Sequence, residues 1–335
     1  MQLYFLHVGY GEAMVLLDDG HCLVIDGGPG RGDEAYTHPG TIHLADFLAQ
    51  QGVSHIDVML CTHLHNDHLS GLVDVAERFS IGEFWVNCWP QESAARAIEA
   101  ALPECPDDLS LRLFTTGLQH LERLRPLLAG ARIRERAATA DFEELWPGCR
   151  IRLFGMEEAQ IAQRRAQFEA FCRMEDPAAQ RDAMRAFDKV ENTCSLACSL
   201  EVDGWTAMLT GDLCSGWDER CAAPDFPKGQ LLKLTHHGQR DGMPQSLVDA
   251  SDPEVFLMCA DTARTFRSAC DEVQARAAAY LTERGRPVQV YTTGLLAESF
   301  GLQDGQPPCA LCCQPGQPTR CTPYYAKEAA SHGSV

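Results

Sequence analysis

Segments with strand-like and helix-like patterning alternate along this chain of 335 residues, which predicts a layered α/β domain. Three stretches carry that expectation. The opening holds apolar runs at Leu3 to Val8, Ala13 to Leu17 and His21 to Ile25, with Asp18-Asp19-Gly20 as a hairpin turn between the last two. Next, the buried-strand run Ile56-Asp57-Val58-Met59-Leu60-Cys61 is followed closely by Leu69-Ser70-Gly71-Leu72-Val73-Asp74-Val75-Ala76, which has the apolar spacing of a helix. Later, 194 to 202 and 205 to 210 form a hairpin about Asp203-Gly204, and Gln230 to Thr235 is a further strand.

The remaining elements follow in order. Residues 41 to 51 read as a helix, Ile81 to Cys88 as a strand, and 93 to 102 and 118 to 129 as helices. Met156 to Asp188 is polar and rich in strong helix formers, with Pro177 as the break between two helices. Beyond Thr235 the pattern gives helix 244 to 250, strand 254 to 260, helix 270 to 284 and strand 287 to 292. The expected organisation is one domain over 1–302, carrying a helical insertion at about 156–190, and a Cys- and Pro-rich tail over 303–335. In that tail Cys309-x-x-Cys312 reads either as half of a zinc knuckle, completed by Cys313 or Cys321 and His332, or as part of a flexible segment.

Composition narrows the function. No apolar run reaches the roughly eighteen residues of a membrane-spanning helix, so no membrane partner is expected. Met1 to Leu6 reads as a strand with no basic segment before it, so no secretory signal is expected. The sixteen cysteines are scattered, many within apolar runs, and imply reduced thiols in a cytoplasmic protein. A net charge of −19 argues against a non-specific DNA coat but leaves room for an enzyme that grips a phosphate through metal ions. Two local groups of arginines run against that balance: Arg123, Arg125, Arg132, Arg134 and Arg136, and, in the insertion, Arg164, Arg165, Arg173, Arg181 and Arg185. Each reads as a solvated surface or as a phosphate-backbone grip.

The chemistry concentrates in Thr62-His63-Leu64-His65-Asn66-Asp67-His68, on the loop between the buried strand and the helix. Imidazole nitrogens and carboxylate oxygens are ligands of borderline divalent metals. An extended turn can aim His63 and His65 to one side and Asp67 and His68 to the other, which leaves room for two metal sites.

This HxHxDH pattern resembles the signature of the metallo-β-lactamase fold. Thr210-Gly211-Asp212 after a strand-like run resembles the family's bridging aspartate, and Lys233-Leu234-Thr235-His236-His237-Gly238 its late histidine motif. Leu6-His7-Val8-Gly9-Tyr10-Gly11-Glu12-Ala13, followed by Leu23-Val24-Ile25-Asp26-Gly27-Gly28, is similar to the opening of the hydrolase domain of ComEC-type DNA-uptake proteins. The resemblance implies an αββα sandwich, two packed mixed β-sheets flanked by helices. It also implies two divalent cations, Zn²⁺ or Mn²⁺. The first would take His63 and His65, the second Asp67, His68 and His237, with Asp212 bridging and Asp26 orienting a metal-bound histidine.

The chain departs from that pattern twice. No histidine lies between His120 and His236 to complete the first metal, and the matching region reads Glu191-Asn192-Thr193-Cys194-Ser195. Asn192 or a water would fill the position, giving a weaker site open to harder metals. After strand 254 to 260 the chain has Arg264-Thr265-Phe266-Arg267 where the ComEC-like pattern often has His-Pro.

The implied activity is hydrolysis by a hydroxide shared between two cations, with Asp67 orienting it and His236 or Arg240 stabilising the leaving oxygen. Asn192, Arg264 and Arg267 are the expected substrate contacts. The expected substrate is an anionic phosphodiester in DNA, RNA or a nucleotide. The alternatives are a small phosphocholine ester, thioester or lactone, or a non-catalytic metal-stabilised scaffold that binds a protein through the insertion or the tail.

Overall fold

Alternation of side chains along the strands sorts the apolar residues into three separate cores, and three cores require four layers. The computed structural model describes residues 1–32, 38–101, 108–316 and 318–327. The first half supplies β1 (Gln2–Leu6), β2 (Met14–Asp18), β3 (His21–Ile25), β4 (His55–Cys61), β5 (Ser80–Val86) and β6 (Arg132–Glu135). The second supplies β7 (Glu143–Trp146), β8 (Cys149–Phe154), β9 (Ala197–Val202), β10 (Trp205–Leu209), β11 (Leu231–Lys233), β12 (Val255–Met258) and β13 (Val290–Thr292), before β14 (Ala310–Gln314) and β15 (Arg320–Tyr324).

The first sheet runs in the order β15-β14-β1-β2-β3-β4-β5-β6, and the second β13-β12-β11-β10-β9-β8-β7. Both are mixed. In each, antiparallel pairing gives way to a parallel run, from β3 to β6 and from β10 to β13. Tyr4, Val15, Val24 and Met59 point outward to a core shared with α1 (Leu44–Gln50), α2 (Asn66–Ala76), α3 (Ala95–Ala101) and α4 (Leu109–Leu127). Their neighbours Leu3, Leu16, Leu23 and Leu60 point inward and meet Ile151, Leu200, Ala207 and Leu257 of the facing sheet. On the far side Met208, Leu232 and Phe256 pack beneath further helices. This is the αββα sandwich of the metallo-β-lactamase fold.

The polar segment forms α5 (Glu158–Arg173) and α6 (Pro177–Asp188). A capping box of Glu157 and Gln160 starts the first helix; Asp176 caps the second, with Pro177 at its first position. Phe168, Phe171, Met184 and Phe187 are buried in the same core as α3 and α4. The expected substrate-gripping or partner-binding arm is therefore a packed part of the helical layer. Its arginines are engaged: Arg164 with Glu191, Arg165 with Glu135, Arg173 with Glu92, Arg185 with Asp108, and Arg181 donating to the Ala100 carbonyl. The other basic group is paired too, Arg123 with Glu77, Arg125 with Glu122, Arg132 and Arg134 with Glu83, and Arg136 with Glu143. Neither forms a phosphate-binding stripe.

The expectation of a loose Cys-rich tail is corrected as well. Residues 310–324 are two strands of the first sheet, with β14 paired to β1. Strand alternation sends Cys312 into the outer core with Cys309, and Cys313 into the inter-sheet core. Cys309 and Cys312 thus point away from Cys313, whose thiol meets that of Cys321 at 3.4 Å, and among the described residues they form no zinc knuckle; His332 lies outside those residues. No helix of the described residues is long and apolar enough to cross a membrane. The later helices are α7 (Trp217–Cys221), α8 (Gln245–Ser251), α9 (Asp271–Glu283) and α10 (Leu296–Phe300).

Candidate metal centre

The site residues lie where β3, β4, β10 and β11 end, the position at which open α/β sheets place their ligands. After β4 the backbone turns at His63 and Leu64, and His65 is the N-cap of α2, so Asp67 and His68 fall in its first turn. This turn is held close to the loop after β3. Gly27 donates to the His68 carbonyl (2.6 Å) and Gly71 to that of Gly28 (2.8 Å). A Cβ on Gly71 would lie 2.0 Å from the Gly27 oxygen, so only glycine permits the approach.

Six of the named side chains converge. His63 Nε2 is 3.0 Å from His65 Nδ1 and 4.0 Å from Asp212 Oδ2. On the other side His237 Nε2 lies 3.1 Å from Asp67 Oδ2 and 3.2 Å from His68 Nε2. Asp212 Oδ2 is 3.6 Å from His68 Nε2 and 3.5 Å from His237 Nε2, so it faces both groups. His63, His68 and Asp212 form one candidate metal cluster, and Asp67, His68 and His237 another.

The outer partners decide what these atoms can do. His237 Nδ1 can only donate to the Cys259 carbonyl (2.9 Å), which leaves the Nε2 lone pair facing the Asp67 carboxylate. Asp26 accepts from the Thr62 backbone N–H and hydroxyl (both 2.7 Å) and touches His68 Nδ1 (2.8 Å). His65 Nε2 meets Asp188 Oδ1 at the end of α6 (3.0 Å). Asp212 Oδ1 is buried without a hydrogen-bond partner among the described residues. Acceptors facing acceptors in a buried pocket, with one carboxylate oxygen unpaired, is an arrangement that a cation satisfies. The donor set fits two divalent ions.

Electrostatics points the same way. Burial holds the His63 imidazole well below its ordinary pKa, and neighbouring His68 and His65 add to the shift. For Asp67 burial acts upward, but His68 and His237 outweigh it and bring the carboxyl to about 2. Asp212 also sits well below the usual carboxylate range; His237 and His68 overcome the cost of its burial. Against the effect of burial, Asp212, Asp67 and Asp26 hold the His68 imidazole well above its ordinary pKa, so a cation bound among these ionised carboxylates displaces a proton.

The other named residues separate. Asn192, on a short 3₁₀ turn, and His236 line the pocket over the cluster, 3.1 Å apart through Nδ2 and Nε2. Asn192 Oδ1 is buried and has no hydrogen-bond partner among the described residues. His236 Nδ1 faces Asp241 at 3.1 Å. Arg267 lines the same pocket. Arg240 does not: its side chain is 87 % exposed and pairs with Glu272, because the chain turns away after Gln239. Arg264 is drawn off to Asp271. Neither places its guanidinium against the substrate space.

Four residues of the neighbourhood are not evident from motif spacing. Lys233 and Glu12 form a fully buried ion pair behind the cluster, and Lys233 also donates to the Gly211 carbonyl (2.9 Å). Glu191, itself paired with Arg164, accepts from the Leu64 N–H (2.8 Å), and Asp188 holds His65. A charged residue inside an otherwise apolar strand run, as Lys233 is, was the available signal, since burial requires a partner.

Comparison with known proteins agrees with this architecture. Residues 8–88, which include the HxHxDH loop, match the family model described as the Metallo-beta-lactamase superfamily. No curated protein sequence matches. Among solved structures the chain is similar to a metallo hydrolase from the archaeon Ignicoccus hospitalis, with 13 % identity and a TM-score of 0.48 over 94 % of this chain and 100 % of that one. It is similar to CmlA, a diiron β-hydroxylase of Streptomyces venezuelae, with 12 % identity and a TM-score of 0.47 over 87 % and 53 % of the two chains. It is also similar to the short form of human tRNase Z, with 16 % identity and a TM-score of 0.37 over 84 % and 88 %. The reactions of these three proteins differ, so none carries over on likeness of chain path.

Proposed function

We propose that the protein is a metal-dependent hydrolase that cleaves a small phosphodiester. The observation that carries this reading is the convergence of His63, His65, Asp67, His68, Asp212 and His237, with Asp212 facing both halves of the set. Bound there, two divalent cations supply an activated water and neutralise charge on a phosphoryl oxygen. Asp67 is ionised and open on one side to the pocket, so it can also orient the attacking water. His236 lines the pocket with Asp241 supporting its Nδ1 and with its Nε2 facing the side-chain amides of Asn192 and Gln239 (both 3.1 Å); burial notwithstanding, the Asp241 hydrogen bond raises its pKa. Such an imidazole is suited to give a proton to the leaving oxygen. Arg267, which lines the same pocket, is the proposed contact to the anion. Asn192, whose Oδ1 has no hydrogen-bond partner among the described residues, stands where the ComEC-like pattern lacks a third histidine and is the proposed further donor to the first ion.

Size and charge favour a small diester over a polymer. The cavity holds about 600 Å³, the size of a mononucleotide-like ligand. The arginines that would track a phosphate backbone are paired with carboxylates at the surface. The test is a panel of bis-p-nitrophenyl phosphate, plasmid, linear DNA and RNA with Zn²⁺ or Mn²⁺, and Asp212→Ala as the control. Cleavage of the chromogenic diester alone is expected. Protein that holds two equivalents of metal and turns over nothing refutes the reading.

A further inference from the structure

The pocket lining is of two chemical kinds: His65, Asp67, Asp212 and His236 are polar, and Tyr10, Leu109, Leu113 and Phe266 are large and mainly apolar. Of these, Phe266 remains 40 % exposed and Leu109 42 %, although both are large and apolar. Two such side chains at the rim of one cavity mark a surface that a ligand covers.

Phe266 is held there at a cost. Arg264, Phe266, Arg267 and Ala269 all have positive φ, between 41° and 63°, which non-glycine residues seldom adopt. The loop is fixed from both ends. Buried Asp261 accepts from the Thr265 N–H (2.8 Å) and from its hydroxyl (2.5 Å). Ala269 donates to the His237 carbonyl (2.8 Å) and Cys270 to that of Gly238 (3.1 Å). Strain maintained this way next to a candidate centre is a feature of ligand-gripping segments. The result is a run of rings leading outward: His237 meets Tyr10 at 4.9 Å between centroids, and Tyr10 meets Phe266 edge-on at 4.9 Å. Among the described residues no further ring follows Phe266.

We infer that Phe266 stacks against a planar aromatic group of the substrate, while Arg267 takes the single negative charge of a diester. The inference rests on the hydrolase reading and names its substrate class: a monoanionic phosphodiester carrying an aromatic arm. Arg267 pairs with no carboxylate among the described residues, and among those lining the pocket it is the one arginine, which suits one negative charge better than two.

Binding of diphenyl phosphate and dimethyl phosphate to the zinc-loaded full chain, followed by calorimetry, tests it. The two probes share charge and phosphoryl geometry and differ in their arms. Diphenyl phosphate should bind roughly tenfold tighter, the worth of one good ring contact. Phe266→Ala should abolish most of that preference and leave dimethyl phosphate unchanged, and Phe266→Tyr should restore it. Arg267→Gln should weaken both probes equally. Cyclic AMP serves as a third arm: binding as tight as that of diphenyl phosphate assigns the site to a nucleobase, and weaker binding to a simple aryl group. Equal affinity for the two diesters, or a preference that survives Phe266→Ala, overturns the inference while leaving the hydrolase reading intact. Failure to bind two zinc ions removes both.

Discussion

Asp188 offers a sharp test of how the helical layer serves the centre. Its carboxylate sits 3.0 Å from His65 Nε2, with the side chain 10 % exposed, so solvent screens the contact little. His65 faces His63, whereas Asp67, His68 and His237 form the other candidate cluster. Losing the outer partner of a ligating histidine costs about 10–100-fold in metal affinity, or roughly 1.4–2.7 kcal/mol. Asp188→Ala should therefore weaken one of two zinc equivalents by that factor and spare the other. Asp188→Asn keeps an acceptor without its charge and should fall nearer the lower bound. Competition against a chromophoric chelator reads both constants, with circular dichroism as the control for folding. Two unchanged affinities in a folded Asp188→Ala protein would refute the idea that α6 holds the metal loop.

Other consequences are testable in parallel. Lys233→Met strands Glu12 in an apolar interior and should cost about 3–5 kcal/mol, read as a lower denaturation midpoint. Gly71→Ala forces the start of α2 off the Gly27 loop and should lose about 3 kcal/mol together with metal binding; a variant as stable as the parent contradicts the close approach. Burial lowers the pKa of His7 to about 4, with a further push from His38. The unfolded chain then binds the extra proton between pH 6.5 and 4, so stability should fall as pH drops through that window, by up to roughly 3 kcal/mol. Replacing His7 with Phe should flatten this part of the pH profile, and an unchanged slope would rule out the assignment.

Much of the fold was legible because strand periodicity is local. β1 to β5 and β9 to β13 lie within a few residues of the expected runs, and the hairpin turn at Asp19 and Gly20 has the positive φ values that such turns need. β6 escaped notice because its sequence, Arg-Ile-Arg-Glu, is that of a charged edge strand. β14 and β15 were obscured by flanking prolines and by cysteines, which suggest metal sites before they suggest strands. The site divides along the same line. The HxHxDH loop is a compact signal, but Asp188 and Glu191 lie 123 and 127 residues from the groups they hold. Charge alone left the arginines open between a surface and a phosphate grip, since several partner carboxylates come from distant elements, as Glu83 does for Arg132 and Arg134.

The pairing of β14 with β1 has a consequence for how the protein is made. During synthesis the outer margin of β1 stays without its neighbour until residue 314 clears the ribosome, more than three hundred residues after β1 itself. For that interval an unsatisfied row of backbone groups invites pairing with other nascent copies. Premature termination anywhere before this point should yield insoluble product, even where every metal-facing side chain has already been translated.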